Sequence, residues 1–247
     1  ITPSNYSAFL RYPELDILST SPEHFVSLNN SLVESKPMKG TRPRGEDSIL
    51  DEVLFNELKN SSKDKAENLM IVDVVRNDLG KVCIPGSIKV ENLFEIEKYE
   101  HVFQMITDIH AKLNDKYNNI DLLFSCFPGG SVTGAPKIRA MEIIDELEPV
   151  ERNVYCGAIG YFGFNGNMKT SIPIRTRVAI IKKERGLKSE LLLLEVFSDS
   201  LTHGNKFLMN GINLQSKIFF FSHKVHQINF TPILKIDRTI LILWSVK

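Results

Sequence analysis

The sequence has no excess of charge of either sign. Its 247 residues include 30 lysines and arginines and 30 aspartates and glutamates, so the formal net charge is zero. A chain that attracts nucleic acid or an anionic membrane surface through its overall field needs a basic surplus. The balance removes the electrostatic argument for both partners, and we expect neither nucleic acid nor a membrane to be bound.

Cysteines are few, and long apolar runs and a targeting signal are absent. The three cysteines, Cys83, Cys126 and Cys156, lie far apart and lack the spacing of a metal site. No apolar run reaches the ~18 residues of a membrane span. The first residues, I-T-P-S-N-Y, do not have the pattern of a signal peptide. We therefore expect buried thiols, a reducing compartment and a cytoplasmic location.

The most distinctive stretch is Phe127–Glu148, where a glycine-rich loop precedes an amphipathic helical pattern. Apolar residues recur at helical spacing after Pro136, which suits the first turn of a helix. In the loop, which contains Gly130, Ser131 and Thr133, backbone N–H groups could converge on an anion at a helix N-terminus. A tight structural turn explains the loop equally well. A Walker phosphate loop is excluded, because the G-x-x-x-x-G-K-[ST] order is absent.

Short strands and two helices are predicted before this stretch. Tyr6–Lys36 is rich in β-forming residues, and Asn29-Asn30 suits a hairpin turn. Ser48–Asn60 is predicted to form a short helix. A second helix is predicted over Ser61–Gly80, where Ser61 or Ser62 can cap the start and Gly80 can close the end. The order of elements therefore begins with strands and continues with helices.

Further strands are predicted on either side of the distinctive stretch. Ile84–Lys98 is strand-like, whereas the segment that follows it fits a strand or a helix. Val154–Phe164 and Lys169–Ile181 are predicted to form a long hairpin across an Asn-Gly-Asn turn, with Arg175 inside the second strand. Leu191–Val196 is one more apolar strand.

Two charged segments could bind an anion or a metal. Lys36–Gly45 has too many glycines, prolines and cations for regular structure, so we expect a basic loop that is either solvated or an anion site. Glu67 lies one helical turn from Asp64, which could present two carboxylates on one helix face. An ordinary charged face with ion pairs explains that spacing as well.

Five motifs, in order, resemble the chorismate-utilising enzymes, the family that includes anthranilate, aminodeoxychorismate, isochorismate and salicylate synthases. The resemblance covers roughly Thr2–Lys183. The motifs are S-P-E-H-F (Ser21–Phe25), K-P-M-K-G-T-R-P-R-G (Lys36–Gly45), A-E-N-L-M-I-V-D-V-V-R-N-D-L-G (Ala66–Gly80), P-G-G-S-V-T-G-A-P-K-I-R-A-M-E-I-I-D-E-L-E-P (Pro128–Pro149) and I-R-T (Ile174–Thr176).

The resemblance implies the fold class and the substrate. It implies an α/β fold in the broad α+β sense, in which a mostly antiparallel β-sandwich core carries outer helices and the site lies in a cleft. The two hairpin signals favour antiparallel pairing independently. The implied substrate is chorismate, a dicarboxylate, with ammonia from a glutamine amidotransferase subunit.

Lys39 favours one branch of the family. Aminodeoxychorismate synthases typically carry a nucleophilic lysine at the matching position, whereas anthranilate synthases typically carry alanine. A lysine that adds to the ring and expels the hydroxyl divides one difficult displacement into two easier steps. The resemblance thus implies aminodeoxychorismate synthase component I, with anthranilate synthase component I as the alternative.

The resemblance also implies roles for the remaining candidate residues. Glu23 matches the general acid that protonates the leaving hydroxyl, and such an acid needs a raised pKa near neutral pH. Glu67 matches a ligand of Mg²⁺, a cation that prefers oxygen ligands. Arg175 matches the arginine that pairs with the enolpyruvyl carboxylate. The residues that match the pocket wall and ring contacts are His101, Gly130, Ser131 and Thr133.

The sequence departs from the family in three places. Asn68 replaces a usual histidine, and the chain starts about halfway through a normal member, which implies an incomplete fold. After residue 196 the glycine loop and the second metal glutamate of the family are missing. We therefore expect a partial chorismate-binding catalytic domain over 1–196 and a divergent tail over 197–247, frameshifted near Lys206–Asn213 or poorly folded. A catalytically silent remnant of the family is a further alternative.

Overall fold

The computed structural model describes residues 4–12, 15–182, 190–192, 234–236 and 239–246. The strands are β1 (Tyr6–Arg11), β2 (Leu15–Ser21), β3 (His24–Asn29), β4 (Leu32–Ser35), β5 (Met38–Pro43), β6 (Lys89–Lys98), β7 (Val102–Lys112), β8 (Asn153–Gly163), β9 (Met168–Ser171), β10 (Thr176–Lys182), β11 (Glu190–Leu192), β12 (Leu234–Ile236) and β13 (Thr239–Val246). The helices are α1 (Ser48–Asn60), α2 (Ser62–Leu79), α3 (Asn119–Cys126), α4 (Gly130–Thr133) and α5 (Lys137–Leu147).

The described strands form two antiparallel sheets. The small sheet has the order β1-β2-β10-β11, and the large sheet runs β12-β13-β8-β9-β3-β4-β7-β5, with β6 on the other edge of β7. The main core lies where α2 and α3 pack on the large sheet. Its fully buried side chains include Val26, Val33, Val72, Leu79, Ile109, Leu122, Leu123 and Met168. The antiparallel α+β class that the resemblance implies is confirmed.

The two long predicted helices and the first hairpin are confirmed. The Asp47 side chain caps α1 by accepting hydrogen bonds from two backbone N–H groups. The Ser61 side chain caps α2 by accepting one hydrogen bond, from the backbone N–H of Asp64. These caps satisfy N–H groups that have no partner inside the helix. The Asn29-Asn30 turn joins β3 to β4, and the ambiguous segment before Leu113 is a strand, β7.

The prediction of a basic loop over Lys36–Gly45 was wrong, because Met38–Pro43 is a strand paired with β7. The ladder is irregular between Met38 and Thr41, and Gly40 absorbs the irregularity with a φ of 86°. The two arginines are paired with helix carboxylates rather than solvated: Arg42 forms ion pairs with Glu57 and Asp64, and Arg44 forms one with Asp51. Composition misled here because a bulged edge strand also uses glycine and proline.

The prediction of one long strand over Lys169–Ile181 was also wrong. The chain leaves the large sheet after Ser171 and enters the small sheet at Thr176, where β10 pairs with β2. Pro173 has no N–H to donate to a ladder, and Arg175 has a φ of 52°. Arg175 therefore lies in the crossing between the two sheets and not inside a strand.

Several predictions concern residues that the structure describes only in part. Of the strand predicted over Leu191–Val196, only the first two residues are described, within β11. The domain boundary at 196 and the proposed frameshift at Lys206–Asn213 lie outside the described residues. Within the predicted tail, β13 pairs with β8 of the large sheet, and β12 pairs with β13 as the edge strand. Among the described residues, no helix has both the length and the hydropathy needed to cross a bilayer.

Candidate active site

Glu23 is a buried carboxylic acid at the connection between β2 and β3. Its backbone is held on both sides, since its N–H donates to Ser21 Oγ and its carbonyl accepts from the N–H of Ile172. Burial raises the pKa of Glu23 to about 7, against the lowering effects of the Ser131 hydroxyl and of the Lys39 and Arg175 charges. A carboxyl group with that pKa can both give and accept a proton near neutral pH.

Lys39 reaches the same place from the bulge in β5. Its Nζ donates a hydrogen bond of 2.9 Å to the backbone carbonyl of Ser131. The neighbouring Gly40 lets β5 approach the helices closely, because a methyl group there would come within 2.9 Å of Asp64 Cβ and Leu58 Cδ1. The bulge thus directs an amine toward the buried carboxyl.

The predicted glycine-rich loop is in fact a single helical turn, α4. The backbone N–H groups of Val132, Thr133 and Gly134 bond to carbonyls within the turn, so they do not converge on an anion as one interpretation proposed. Thr133 Oγ1 also turns inward and donates to Gly129 at 3.0 Å. Gly130 serves close packing, since a Cβ there would lie 2.7 Å from Val74 Cγ1 on α2.

Ser131 is the residue of α4 that faces the other candidates. Its carbonyl accepts the Lys39 hydrogen bond, and its buried hydroxyl makes no well-formed hydrogen bond although it lies beside Glu23. Ser131 therefore places a hydroxyl and a carbonyl acceptor at the point where the acid and the amine meet.

Arg175 brings a third charge to Glu23 from the crossing between the two sheets. Its carbonyl accepts hydrogen bonds from the N–H and hydroxyl of Thr20, which fixes the backbone. Its guanidinium is close enough to lower the pKa of Glu23. Glu23, Lys39, Ser131 and Arg175 therefore gather in one place, although they come from four separate segments of the chain.

Glu67 does not belong to a cluster of metal-binding side chains within the described residues. Its side chain is 43% exposed and lies 3.9 Å from the Lys63 ammonium. Asp64, one helical turn away, forms an ion pair with Arg42, with 3.1 Å between Oδ2 and Nη2. The two carboxylates therefore do not act as a pair. Mg²⁺ needs several oxygen ligands in octahedral geometry. The described residues do not assemble such a site around Glu67.

His101 is not brought to the other candidates. Its side chain is 56% exposed, and its nearest charged partner is Glu100 at 3.7 Å. The backbone carbonyl of His101 accepts a hydrogen bond from the backbone N–H of Arg44. Arg44 directly follows β5, whereas Lys39 lies near the start of that strand. The role of His101 in the pocket therefore stays a prediction.

Three polar residues near the site were missed or underrated in the sequence. Gln104 is buried on β7 opposite Thr41 of β5. In the sequence, the sign of its importance is a polar residue within an otherwise apolar strand pattern. Asn68 is also buried, and its Oδ1 accepts a 2.7 Å hydrogen bond from Thr107. Its side chain joins α2 to β7 beside the strand that carries the site. Lys137 pairs with the buried Asp78, and only the helical pattern of its surroundings was noted in the sequence.

The gathered groups define what the site can do chemically. An amine, a guanidinium and a hydroxyl surround one carboxyl whose pKa of about 7 suits proton transfer. Cationic and hydroxyl donors suit a ligand that carries carboxylates. The arrangement fits proton transfer to or from an anionic substrate next to a potential amine nucleophile.

The chain matches a family model and several proteins of known name. The model described as chorismate binding enzyme matches residues 1–186. The chain is 54% identical over 174 residues to aminodeoxychorismate synthase component 1 of Salmonella typhimurium, covering 70% of this chain and 38% of that protein. It is 41% identical over 225 residues to anthranilate synthase component 1 of Saccharolobus solfataricus, covering 91% of this chain and 50% of that protein.

A solved structure is also similar to this chain. The anthranilate synthase component I of Streptococcus pneumoniae superposes with a TM-score of 0.65 at 36% identity, over 72% of this chain and 39% of that one. The chain thus spans between 38% and 50% of the length of these three relatives. The 225-residue match is longer than the predicted catalytic domain of 196 residues, so it includes part of the predicted tail.

Proposed function

The chain belongs to the chorismate-binding enzyme family, and from this premise we propose that it forms part of an aminodeoxychorismate synthase component 1. The reaction converts chorismate and ammonia to 4-amino-4-deoxychorismate and water, for the synthesis of 4-aminobenzoate and folate. The observation that carries the proposal is the position of Lys39. Its amine hydrogen-bonds to the Ser131 carbonyl beside the buried Glu23 carboxyl.

The proposed reaction has two displacements at the ring. The neutral Lys39 amine forms a C–N bond to the ring, a ring double bond shifts, and the C–O bond to the hydroxyl breaks. Glu23 gives its proton to the departing hydroxyl, which leaves as water. Ammonia then bonds to the vacated carbon, the double bond shifts back, and the bond to Lys39 breaks. The proton that ammonia loses returns to Glu23, so both residues end as they began.

Arg175 and Ser131 supply binding rather than chemistry in this proposal. The Arg175 guanidinium pairs with a substrate carboxylate, because its planar donors match both oxygens. The Ser131 hydroxyl, which lies beside Glu23, donates to a ring substituent. Gly130 and Thr133 shape the wall of the pocket, since both are used in packing or in hydrogen bonds within α4.

The partner and the metal belong to the longer protein in this proposal. Component 1 in the name of the relatives supports a second component, and we propose a glutamine amidotransferase that supplies ammonia in the cytoplasm. Glu67 is the residue that would contribute to holding Mg²⁺. No step is assigned to the ion, because the described residues do not assemble its site.

A direct assay of the product tests the proposal. The chain is incubated with chorismate, an ammonium salt and Mg²⁺, and the products are separated by chromatography. We expect 4-amino-4-deoxychorismate, and we expect Lys39→Ala to lower its rate of formation at least about 100-fold. Lys89→Ala, which removes an exposed lysine of β6, is the matched control and should leave the rate unchanged.

Two other outcomes favour the alternatives. Fluorescent anthranilate as the main product would replace the proposal with anthranilate synthase, a function supported by the 41% identity over 91% of the chain. Absence of any product, with chorismate still bound, would favour a catalytically silent remnant. That alternative is supported by the incomplete metal site in the part of the chain that the structure describes.

A further inference from the structure

Lys137 makes two buried contacts with separate helices. Its Nζ donates to Asp78 Oδ2 near the end of α2, and it donates to the Cys126 carbonyl at the end of α3 at 2.7 Å. The side chains of Lys137 and Asp78 are only 14% and 4% exposed. Asp78 Oδ1 accepts a second bond, of 2.9 Å, from Lys81. One ammonium therefore joins the start of α5 to two other helices.

The contacts of Lys137 close the segment that contains α4. Residues 127–136 begin directly after Cys126 and end directly before Lys137, so the hydrogen bond between Lys137 and the Cys126 carbonyl ties the two ends together. That carbonyl lies in the last turn of α3, where carbonyl groups lack partners inside the helix. The ion pair with Asp78 then attaches the closed segment to α2. Removing Asp78 leaves the buried Lys137 ammonium without its carboxylate, whereas removing Lys137 leaves Asp78 with Lys81 as its remaining cation.

The closed segment holds the groups that face the reactive residues. The Ser131 carbonyl accepts the hydrogen bond from Lys39, and the Ser131 hydroxyl lies beside Glu23. Gly130 rests against Val74 of α2, the same helix that carries Asp78. A change in the position of the segment would therefore move the acceptor that holds the Lys39 amine.

We propose that Lys137 and Asp78 are positioning residues, which fix residues 127–136 so that the Ser131 carbonyl holds Lys39. The pair does not touch the reacting groups itself. That Lys39 is a nucleophile rests on the proposed function, whereas the effect of the pair on the segment does not. A pair that only adds global stability would instead affect all slowly exchanging amides alike.

Hydrogen exchange and lysine labelling of the full chain test the proposal without requiring turnover. Lys137→Met removes the ammonium but keeps an unbranched side chain. We expect amides of residues 127–136 to exchange at least about tenfold faster, with amides of β3 and β7 unchanged. Acetylation of Lys39 by a soluble N-hydroxysuccinimide ester, followed by mass spectrometry, should become at least about threefold faster, because the Ser131 carbonyl no longer holds the amine.

Two further variants separate positioning from a general effect. Lys137→Arg keeps a cation with several donors and should restore both readouts to within about twofold of the parent. Arg139→Met removes a cation two positions away, which pairs on the surface with Glu142 and Glu146, and should change neither readout. Asp78→Asn keeps the shape of the acceptor and should accelerate exchange in the same segment.

The proposal has clear contrary outcomes. Uniform acceleration across the core in Lys137→Met, or loss of the folded circular-dichroism signal in both Lys137→Met and Asp78→Asn, would show a general stabilising role and overturn it. Unchanged exchange in residues 127–136 would overturn it too. If the exchange results hold but Lys39→Ala retains activity, the proposed chemistry fails while the positioning role stands.

Discussion

Glu23 and His24 are neighbours in the chain, and burial moves their pKa values in opposite directions. Burial raises the pKa of Glu23 to about 7 and, together with the Lys169 and Lys36 charges, lowers the pKa of His24 to about 3. Both shifts favour the neutral form, because a low-dielectric interior disfavours charge. The chain therefore keeps two adjacent ionisable side chains uncharged at mildly acidic pH, and each has its own effect on stability.

Glu23→Gln should make the protein less sensitive to rising pH. The folded pKa of about 7 lies above the unfolded value of 4.5, so the stabilising contribution is complete below pH 4.5 and is lost as pH rises through 7. The shift corresponds to about 3 kcal/mol. We expect the variant to retain about that much more free energy of unfolding than the parent between pH 4.5 and 8, measured by urea denaturation. Equal pH dependence in both chains would contradict the assigned burial.

His24→Phe should remove a loss of stability at acidic pH. The folded pKa of about 3 lies below the unfolded value of 6.5, so the unfolded chain binds the proton first and stability falls as pH drops below 6.5. Phenylalanine keeps the stack on Tyr6, whose ring centroid is 5.5 Å away, and removes two ring nitrogens without partners. Relative to pH 8, the variant should gain about 2 kcal/mol over the parent at pH 5.

Thermal melts of the parent and variant at both pH values measure this gain. Any packing penalty of the larger ring is common to the two pH values and cancels in the comparison. A difference that does not vary with pH would show that His24 does not titrate in the expected range.

At the scale of elements, close approach determines how α4 and β5 are used. Both contain glycines that composition alone associates with loops, yet Gly40 lets β5 lie against Asp64 and Gly130 lets α4 lie against Val74. In both places the glycine replaces a side chain that would collide with a helix. The site is built where these two approaches bring Lys39 to Ser131.

Gly130→Ala should displace α4 from α2. The new Cβ would lie 2.7 Å from Val74 Cγ1, and a β-branched side chain has little freedom to move away. We expect a loss of about 1–3 kcal/mol in the free energy of unfolding. Val74→Ala in the same chain should relieve the collision, so the cost of the double variant should be smaller than the sum of the single costs. Urea unfolding of the four chains measures the coupling, and strictly additive costs would contradict the close approach.

At the scale of the whole molecule, the site lies where the chain crosses between the two antiparallel sheets. Glu23 lies between a strand of the small sheet and a strand of the large one, and Arg175 lies in the second crossing between the same sheets. Helix α5, by contrast, has no buried residue, and Ile138 and Leu147 are exposed on it. The chain spans 38% of the length of the Salmonella relative.

Mg²⁺ binding is expected to be weak in this chain. Glu67 is a single carboxylate near Lys63, and no group of three or more potential ligands occurs in the described part of the chain. Titration calorimetry with MgCl₂, in the presence of chorismate, should give a dissociation constant weaker than about 1 mM. Glu67→Gln should abolish the remaining heat. Tight, saturable binding would show that ligands outside the described residues complete the site.

The sequence alone identified the family, the long helices, the hairpin turns and the candidate residues. The helices and turns rest on local patterns, such as the cap at Ser61 or the turn at Asn29-Asn30, which neighbouring residues determine by themselves. It misjudged β5 and the Lys169–Ile181 strand, because a bulge and a crossing depend on what lies on the adjoining sheet or helix. His101 fits the family order, and its role in the site stays a prediction.

Only the tertiary structure decided which residues meet and how they ionise. Lys39 and Ser131 are joined by a hydrogen bond across 92 positions of the chain, a contact that no local pattern contains. The pKa of Glu23 comes from its burial, and burial is a property of the packed molecule rather than of the residue. Sequence pattern thus determined which chemical groups are available, while packing decided their distances, their protonation and the acceptor that holds the amine.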